Sequence, residues 1–157
     1  MRITNVHERR LASPPQAVGE LLDSLGSDHD RLWPRGWPKV RFDRPLGAGA
    51  RGGHGPIRYR VETWIPGETV RFRFEAPRGF DGFHAFGIRP EGEGSVVRHV
   101  IEMKARGRAL LSWFFVIRPL HDALIEDAFS TVEASLALPV TQCPWSWRVR
   151  MLRRILR

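Results

Sequence analysis

The sequence predicts an α+β fold: a curved antiparallel sheet with one long C-terminal helix laid against a single face. Three observations carry this. The elements run strand, helix, a series of strands, then a long helix. The strands alternate apolar and polar residues with a period of two, so one face of the sheet is wet and the other covered. The connections between the strands are short, which suits antiparallel neighbours. At 157 residues, 42% apolar and 27% charged, the chain is one domain large enough to hold a core or a cavity.

Residues 2–12 are polar but compatible with a strand, and they end at Ser13-Pro14-Pro15. Ser13 is expected to cap the helix that follows, whose first turn tolerates proline. In that helix Val18, Leu21, Leu22 and Leu25 recur at helical spacing until Gly26. The stretch DHDRLWPRGWPK, 28–39, is rich in turn formers and reads as a short helix or ordered loop.

From Val40 the period becomes two. VRFDR (40–44) is a strand, followed by the flexible loop GAGARGGHG (47–55). IRYRVETW (57–64) and TVRFRFEA (69–76) are strands joined by Ile65-Pro66-Gly67-Glu68. GFHAFGIRP (82–90) and SVVRHVIEMKA (95–105) are two more, joined by Glu91-Gly92-Glu93-Gly94. The count is therefore six strands, or seven if part of 46–55 pairs. Ile57, Tyr59, Val61 and Thr63 share the covered face, as do Val70, Phe72 and Phe74, and Val97, His99, Ile101 and Met103.

The cover comes from residues 109–136, where Leu120, Leu124, Ile125, Ala128, Phe129, Val132 and Leu136 form an apolar stripe. Pro119 interrupts this pattern, so LLSWFFVI (110–117) is a separate turn or a distorted start of the helix.

Cys143 is the single cysteine, so an internal disulfide and a cysteine-rich metal site are both excluded. The N-terminus lacks the apolar core of a signal peptide, and the longest apolar run falls well short of a membrane span, so a cytoplasmic setting is expected. The net charge is +8, but five of those charges belong to arginines of the last fourteen residues, PWSWRVRMLRRILR, and no acid follows Glu133. The basicity is that of a segment, and no nucleic-acid footprint is expected.

The segments HERRLASPPQAVGELLDSL (7–25), YRVETWIPGETVRFRF (59–74) and LHDALIEDAFSTVEASL (120–136) resemble the START-like, Bet v 1-like (SRPBCC) superfamily, and within it the bacterial polyketide cyclase/dehydrase-type branch. They look like its first strand and helix, its central strand–turn–strand, and its gripping helix. The resemblance implies a helix-grip fold, with the sheet wrapped around the C-terminal helix and a cavity for an apolar or aromatic molecule. It implies no fixed catalytic residue set. It covers roughly residues 1–137, which leaves 138–157 as a basic amphipathic tail.

Within such a fold the expected cavity residues are Tyr59, Val61, Thr63, Phe72, His84, Phe86, His99, Ile101, Leu124 and Ala128. His7 and Arg9 join them because they share parity with Leu11 on the first strand. Histidines and a phenol on an apolar wall suit the orientation of a ligand or a proton transfer. They equally suit hydrogen bonds to one another, to backbone or to water. The readings that follow are a carrier of a small hydrophobic or aromatic ligand, a cyclase, aromatase or dehydratase-like enzyme, and a membrane- or partner-associated module. No cofactor is expected. No metal is expected either, since neither HExxH nor HxH occurs and His121-Asp122 are adjacent residues on a helix. The glycine loop lacks the spacing and setting of a phosphate cradle.

As a helix, the tail brings Trp145, Val149, Leu152 and Leu156 to one face, with Trp147, Arg148, Arg150, Arg153 and Arg154 around them. Its apolar face is expected to pack on the domain or on a second subunit of a homodimer. An anionic membrane surface is the alternative contact.

Overall fold

A computed structural model describes residues 1–156; Arg157, the last arginine of the tail, lies outside the described residues. Seven strands form one antiparallel sheet. They are β1 (Arg2–Leu11), β2 (Arg41–Phe42), β3 (Arg51–His54), β4 (Ile57–Ile65), β5 (Thr69–Ala76), β6 (Phe80–Glu91) and β7 (Gly94–Ala105). Their order across the sheet is β1-β7-β6-β5-β4-β3-β2, so the first strand returns beside the last. That pairing runs unbroken from Arg2 opposite Lys104 to Leu11 opposite Ser95.

The glycine loop supplies the seventh strand. β3 pairs with β2 on one side and β4 on the other, and its glycines permit the close approach. A Cβ on Gly52 would collide with the Arg41 carbonyl, and one on Gly53 with the Ile57 carbonyl. Glu68 donates its N–H to the Ile65 carbonyl, and Gly67 at φ +74° gives the β4–β5 connection the geometry that a Pro-Gly pair favours.

Two expectations about side-chain placement are corrected. Ser13 does not cap α1 (Pro15–Asp23), which starts without a side-chain cap. The Ser13 carbonyl instead accepts from Ser95 Oγ at 2.8 Å, tying β1's end to β7. Thr63 does not face inward. Val61 lies opposite Phe72 and Thr63 opposite Arg71, so Glu62 is an extra residue in β4 and the alternation flips beyond it. Thr63 is exposed, and Trp64 turns towards the core with its Nε1 donating to Asp23 at 3.1 Å.

The core lies between the concave face of the sheet and two helical elements. Val18, Leu21 and Leu22 of α1 meet Val61, Val70, Phe72 and Phe86, and Ile125, Phe129 and Val132 of the long helix close the cluster. A second cluster joins Ile3, Phe80, Met103 and Trp113. α1 approaches the β4–β5 turn so closely that a Cβ on Gly19 would sit 2.6 Å from the Gly67 carbonyl oxygen.

The long helix is α2 (Arg108–Ser112), a π-helical segment (Trp113–Ile117) and α3 (Arg118–Ser135) in continuous succession. The π segment ends two residues before Pro119, the residue that distorts it, because proline offers no N–H to the turn before it. After Leu138-Pro139 the tail crosses back over α3 and forms α4 (Trp147–Ile155). Ser146 Oγ accepts from the Val149 N–H to cap α4, and Val149 is buried against the domain, so one apolar face of the tail packs on protein. No helix among the described residues is long and apolar enough to cross a membrane.

Candidate ligand cavity

A cavity of about 550 Å³ lies between the sheet and the long helix. Ile57, Phe74, His84, Phe86, His99 and Ile101 form its sheet wall. Trp113, Val116, Ile117, Leu120, His121 and Leu124 form its helix wall. It meets solvent at a rim containing Gly36, Pro38, Gly55, Pro56 and Leu156, which are exposed. Trp33, Trp37, His54 and Arg153 stand just inside the rim.

Of the cavity residues expected from parity, His84, Phe86, His99, Ile101 and Leu124 line it. Tyr59, Val61, Phe72 and Ala128 point inward too, but they pack into the core beside the cavity. His7 and Arg9 do not line it. They face α3 from the edge strand and bind its carboxylates. His7 Nδ1 donates to Glu126 Oε1 at 2.7 Å, and His7 Nε2 lies 3.2 Å from Asp122 Oδ1. Arg9 spans Glu126 at 2.7 Å and Glu133 at 2.9 Å.

Sequence reasoning missed the tryptophans of the 28–39 loop, Trp113, His54 and His121. For His121 a signal existed: it stands three residues before Leu124 on the same helical stripe.

The histidines form a row across the floor. His7 is opposite His99 in the β1–β7 register. The His121 ring lies 4.9 Å from that of His99 and 5.8 Å from that of His7. His99 Nε2 is 3.4 Å from His84 Nδ1, and His84 stacks on Phe72 and Phe74 and meets the Tyr59 ring edge-on at 4.7 Å. Burial drives the pKa of His84 and His99 well below 6.5, lowers that of His121, and takes His54 down to about 3 with help from His121 and Arg58. These four are neutral at pH 7. Burial also raises the Tyr59 phenol. His7 behaves oppositely: burial lowers it, but the bonds to Asp122 and Glu126 outweigh burial and hold its pKa above 6.5.

Neutrality fixes what the His84–His99 pair can offer. One ring donates to the other across the 3.4 Å contact, which leaves His84 Nε2 and His99 Nδ1 over. Whichever ring donates, one of those two nitrogens carries a proton and the other a lone pair. Neither has a partner among the described residues, and neither has His121 Nε2. The pair thus holds one spare donor and one spare acceptor, both on buried nitrogens.

His7, His121 and Asp122 place donor atoms within 4.8 Å of one another, the one group among the described residues with metal-ligand composition and spacing. Asp122 Oδ1 already receives Asn5 Nδ2 at 2.9 Å as well as the two imidazoles, so hydrogen bonds within the cluster occupy that oxygen.

Tryptophan and arginine side chains hold the tail beside the rim. Trp37 and Trp145 both donate Nε1–H to Asp127 Oδ2, at 2.7 and 2.9 Å. The Arg153 guanidinium lies 4.1 Å from the Trp37 ring and 4.0 Å from the Trp145 ring, and it donates to the Gly36 carbonyl.

No protein-family model matches the sequence, and no curated protein matches it. Solved structures do match. A solution NMR structure of a Thermobifida fusca protein superposes with a TM-score of 0.67 at 13% identity, over 89% of this chain and 97% of its own. A norcoclaurine synthase point mutant from Thalictrum flavum, in complex with a transition-state analogue, gives 0.66 at 14%, over 87% and 96%. The di-domain aromatase/cyclase StfQ of the steffimycin biosynthetic pathway gives 0.64 at 12%, over 85% of this chain and 50% of its own. Similarity at this level of identity establishes a shared fold.

Proposed function

From the premise that the chain has the START-like, Bet v 1-like helix-grip fold, we propose that it holds one small apolar or aromatic molecule between sheet and long helix. One observation carries the reading: a cavity of about 550 Å³ whose walls are aromatic and aliphatic, with its polar capacity gathered in a few histidines. That volume lies in the range of ligand pockets, and apolar walls with few polar groups are their usual make-up. Phe86, Ile101 and Leu124 supply apolar contact. His84 and His99 are the polar members of the sheet wall, which suits a ligand carrying a hydroxyl or a carbonyl on an apolar or aromatic body.

Native mass spectrometry of protein purified from its own host is the direct test, with an environment-sensitive anilinonaphthalene dye as a probe. A co-purifying small molecule, or one-to-one dye binding abolished by Leu124→Trp, is the expected result. A protein that carries nothing, and whose dye signal is indifferent to Leu124→Trp, ends this reading.

A second reading is favoured by the neutral histidines. A polyketide cyclase- or dehydratase-like enzyme needs a positioned base beside a carbonyl-rich substrate, and a neutral imidazole can take or give a proton there. The norcoclaurine synthase and aromatase/cyclase names among the fold's solved members are consistent with it. Under this reading His84→Phe and His99→Phe keep ligand binding but lose turnover. Under the carrier reading no turnover exists to lose.

A further inference from the structure

α4 has two apolar faces, and only one of them is used. Val149 is buried, and Leu152, Arg153 and Leu156 lie on the same inward side, towards the domain and the cavity rim. On the opposite side Trp147, Met151 and Ile155 follow at four-residue spacing and stand exposed; Trp147 and Ile155 are each 70% exposed. By helical position Arg150 and Arg154 flank this stripe on one side and Arg148 on the other.

The stripe does not stand alone. Arg148 reaches the carbonyls of Phe114 and Phe115, so the start of α4 lies against the π-helical segment. Leu111 at the end of α2 and Phe115 in that segment, again four apart, are 60% and 61% exposed. Five of the ten large apolar side chains exposed among the described residues belong to this outward side of α4 and to the adjoining start of the long helix. Scattered exposed apolar residues are ordinary, whereas a concentration of them is a contact surface.

Charge identifies the occupant. No acidic residue occurs from Met103 to His121, nor after Glu133. The two segments forming the face carry Arg106, Arg108, Arg118, Arg148, Arg150 and Arg154, and Arg106, Arg108, Arg150 and Arg154 form no ion pair among the described residues. An aromatic and aliphatic stripe edged by unpaired arginines matches the boundary of an anionic bilayer: apolar side chains enter the acyl region while the guanidinium groups stay at the headgroup phosphates.

We propose that the Trp147–Met151–Ile155 face of α4, together with Leu111 and Phe115, docks the protein on an anionic lipid surface. This stands whether or not the cavity carries a ligand, since it uses the outward face of the tail.

The test is flotation with vesicles of phosphatidylcholine alone and of phosphatidylcholine mixed with phosphatidylglycerol. The protein is expected to float with the anionic vesicles only, and less as salt is raised. Arg150→Gln with Arg154→Gln should weaken partitioning about thirty-fold, at about 1 kcal/mol per cation near the surface. Trp147→Ser with Ile155→Ser should weaken it further at unchanged charge. All four residues are exposed, so the variants should melt like the parent. Absence of binding to anionic vesicles at low salt overturns the proposal, as does binding that these substitutions leave intact. A dimer in light scattering that the Trp147→Ser, Ile155→Ser variant dissolves also overturns it, because the face would then belong to a second copy of this chain.

Discussion

Arg148 Nη2 donates to the carbonyl oxygen of Phe115 at 3.0 Å, in the π-helical segment ahead of Pro119, a residue with no N–H to offer the carbonyls four or five positions before it. The tail is thus fastened at a point where the long helix has a defect of its own making. The same nitrogen approaches the Phe114 carbonyl at 3.4 Å.

Arg148→Ala should therefore cost about 1–2 kcal/mol, read in a urea melt, and should expose the tail to proteolysis before the rest of the chain. In a Pro119→Ala background the helix regains its donor, and the same substitution should cost less than half as much. Equal costs in both backgrounds would separate the arginine from the proline.

The buried histidines make the protein acid-sensitive. His54, His84, His99 and His121 have folded pKa values below the unfolded 6.5, so between the two values the unfolded chain binds more protons and stability falls as pH falls. Each strongly shifted histidine contributes a slope of about 1.4 kcal/mol per pH unit. The melting temperature should drop by about 10 °C per pH unit between about pH 6 and 5, and His99→Leu should flatten that slope. A flat profile over this interval contradicts the assignment of neutral, buried rings.

His7 has the opposite sign. Its folded pKa is raised, so its contribution is fully present below pH 6.5 and is lost as pH rises through the folded value. The stability difference between the parent and His7→Gln should be largest near pH 6 and shrink on the alkaline side. A difference that grows with pH would mean that the Asp122 and Glu126 bonds do not hold a proton on His7.

Gly19→Ala tests the contact between α1 and the β4–β5 turn. In an open helix this change stabilises by about 1 kcal/mol. Here the new Cβ meets the Gly67 backbone at 2.6–2.7 Å, and the expected result is a net loss of about 1–3 kcal/mol in a thermal or urea melt.

The bulge in β4 gives a paired test. Thr63→Ala should be within about 0.5 kcal/mol of neutral, while Trp64→Ala should cost about 2–4 kcal/mol. Reversed costs would restore the simple alternation.

That pair also marks how far the sequence could be read. Parity placed Tyr59 and Val61 inward correctly, and it found His84, Phe86, His99 and Ile101 on the cavity wall, because β6 and β7 pair without interruption. It failed at Thr63 because one extra residue reverses every position after it, and nothing in VETW announces the insertion. Arg9 and His7 have the right parity, but β1 is an edge strand, and its inward side meets the carboxylates of α3 at the border of the cavity. Trp33, Trp37 and His54 come from loop and glycine-rich segments with no period to read, and only the folded chain brings them to the rim. The seventh strand was hidden for the same reason, since glycines 52 and 53 have no side chains to alternate.

The Asp127 carboxylate joins three otherwise separate pieces of chain. A single oxygen receives Trp37 from the loop and Trp145 from the tail, and Arg153 lies over both indoles. Withdrawing any one of these groups removes support from the other two. Exchange through the rim on this side should therefore follow one exponential, whose rate a single substitution, Asp127→Asn, accelerates as a whole.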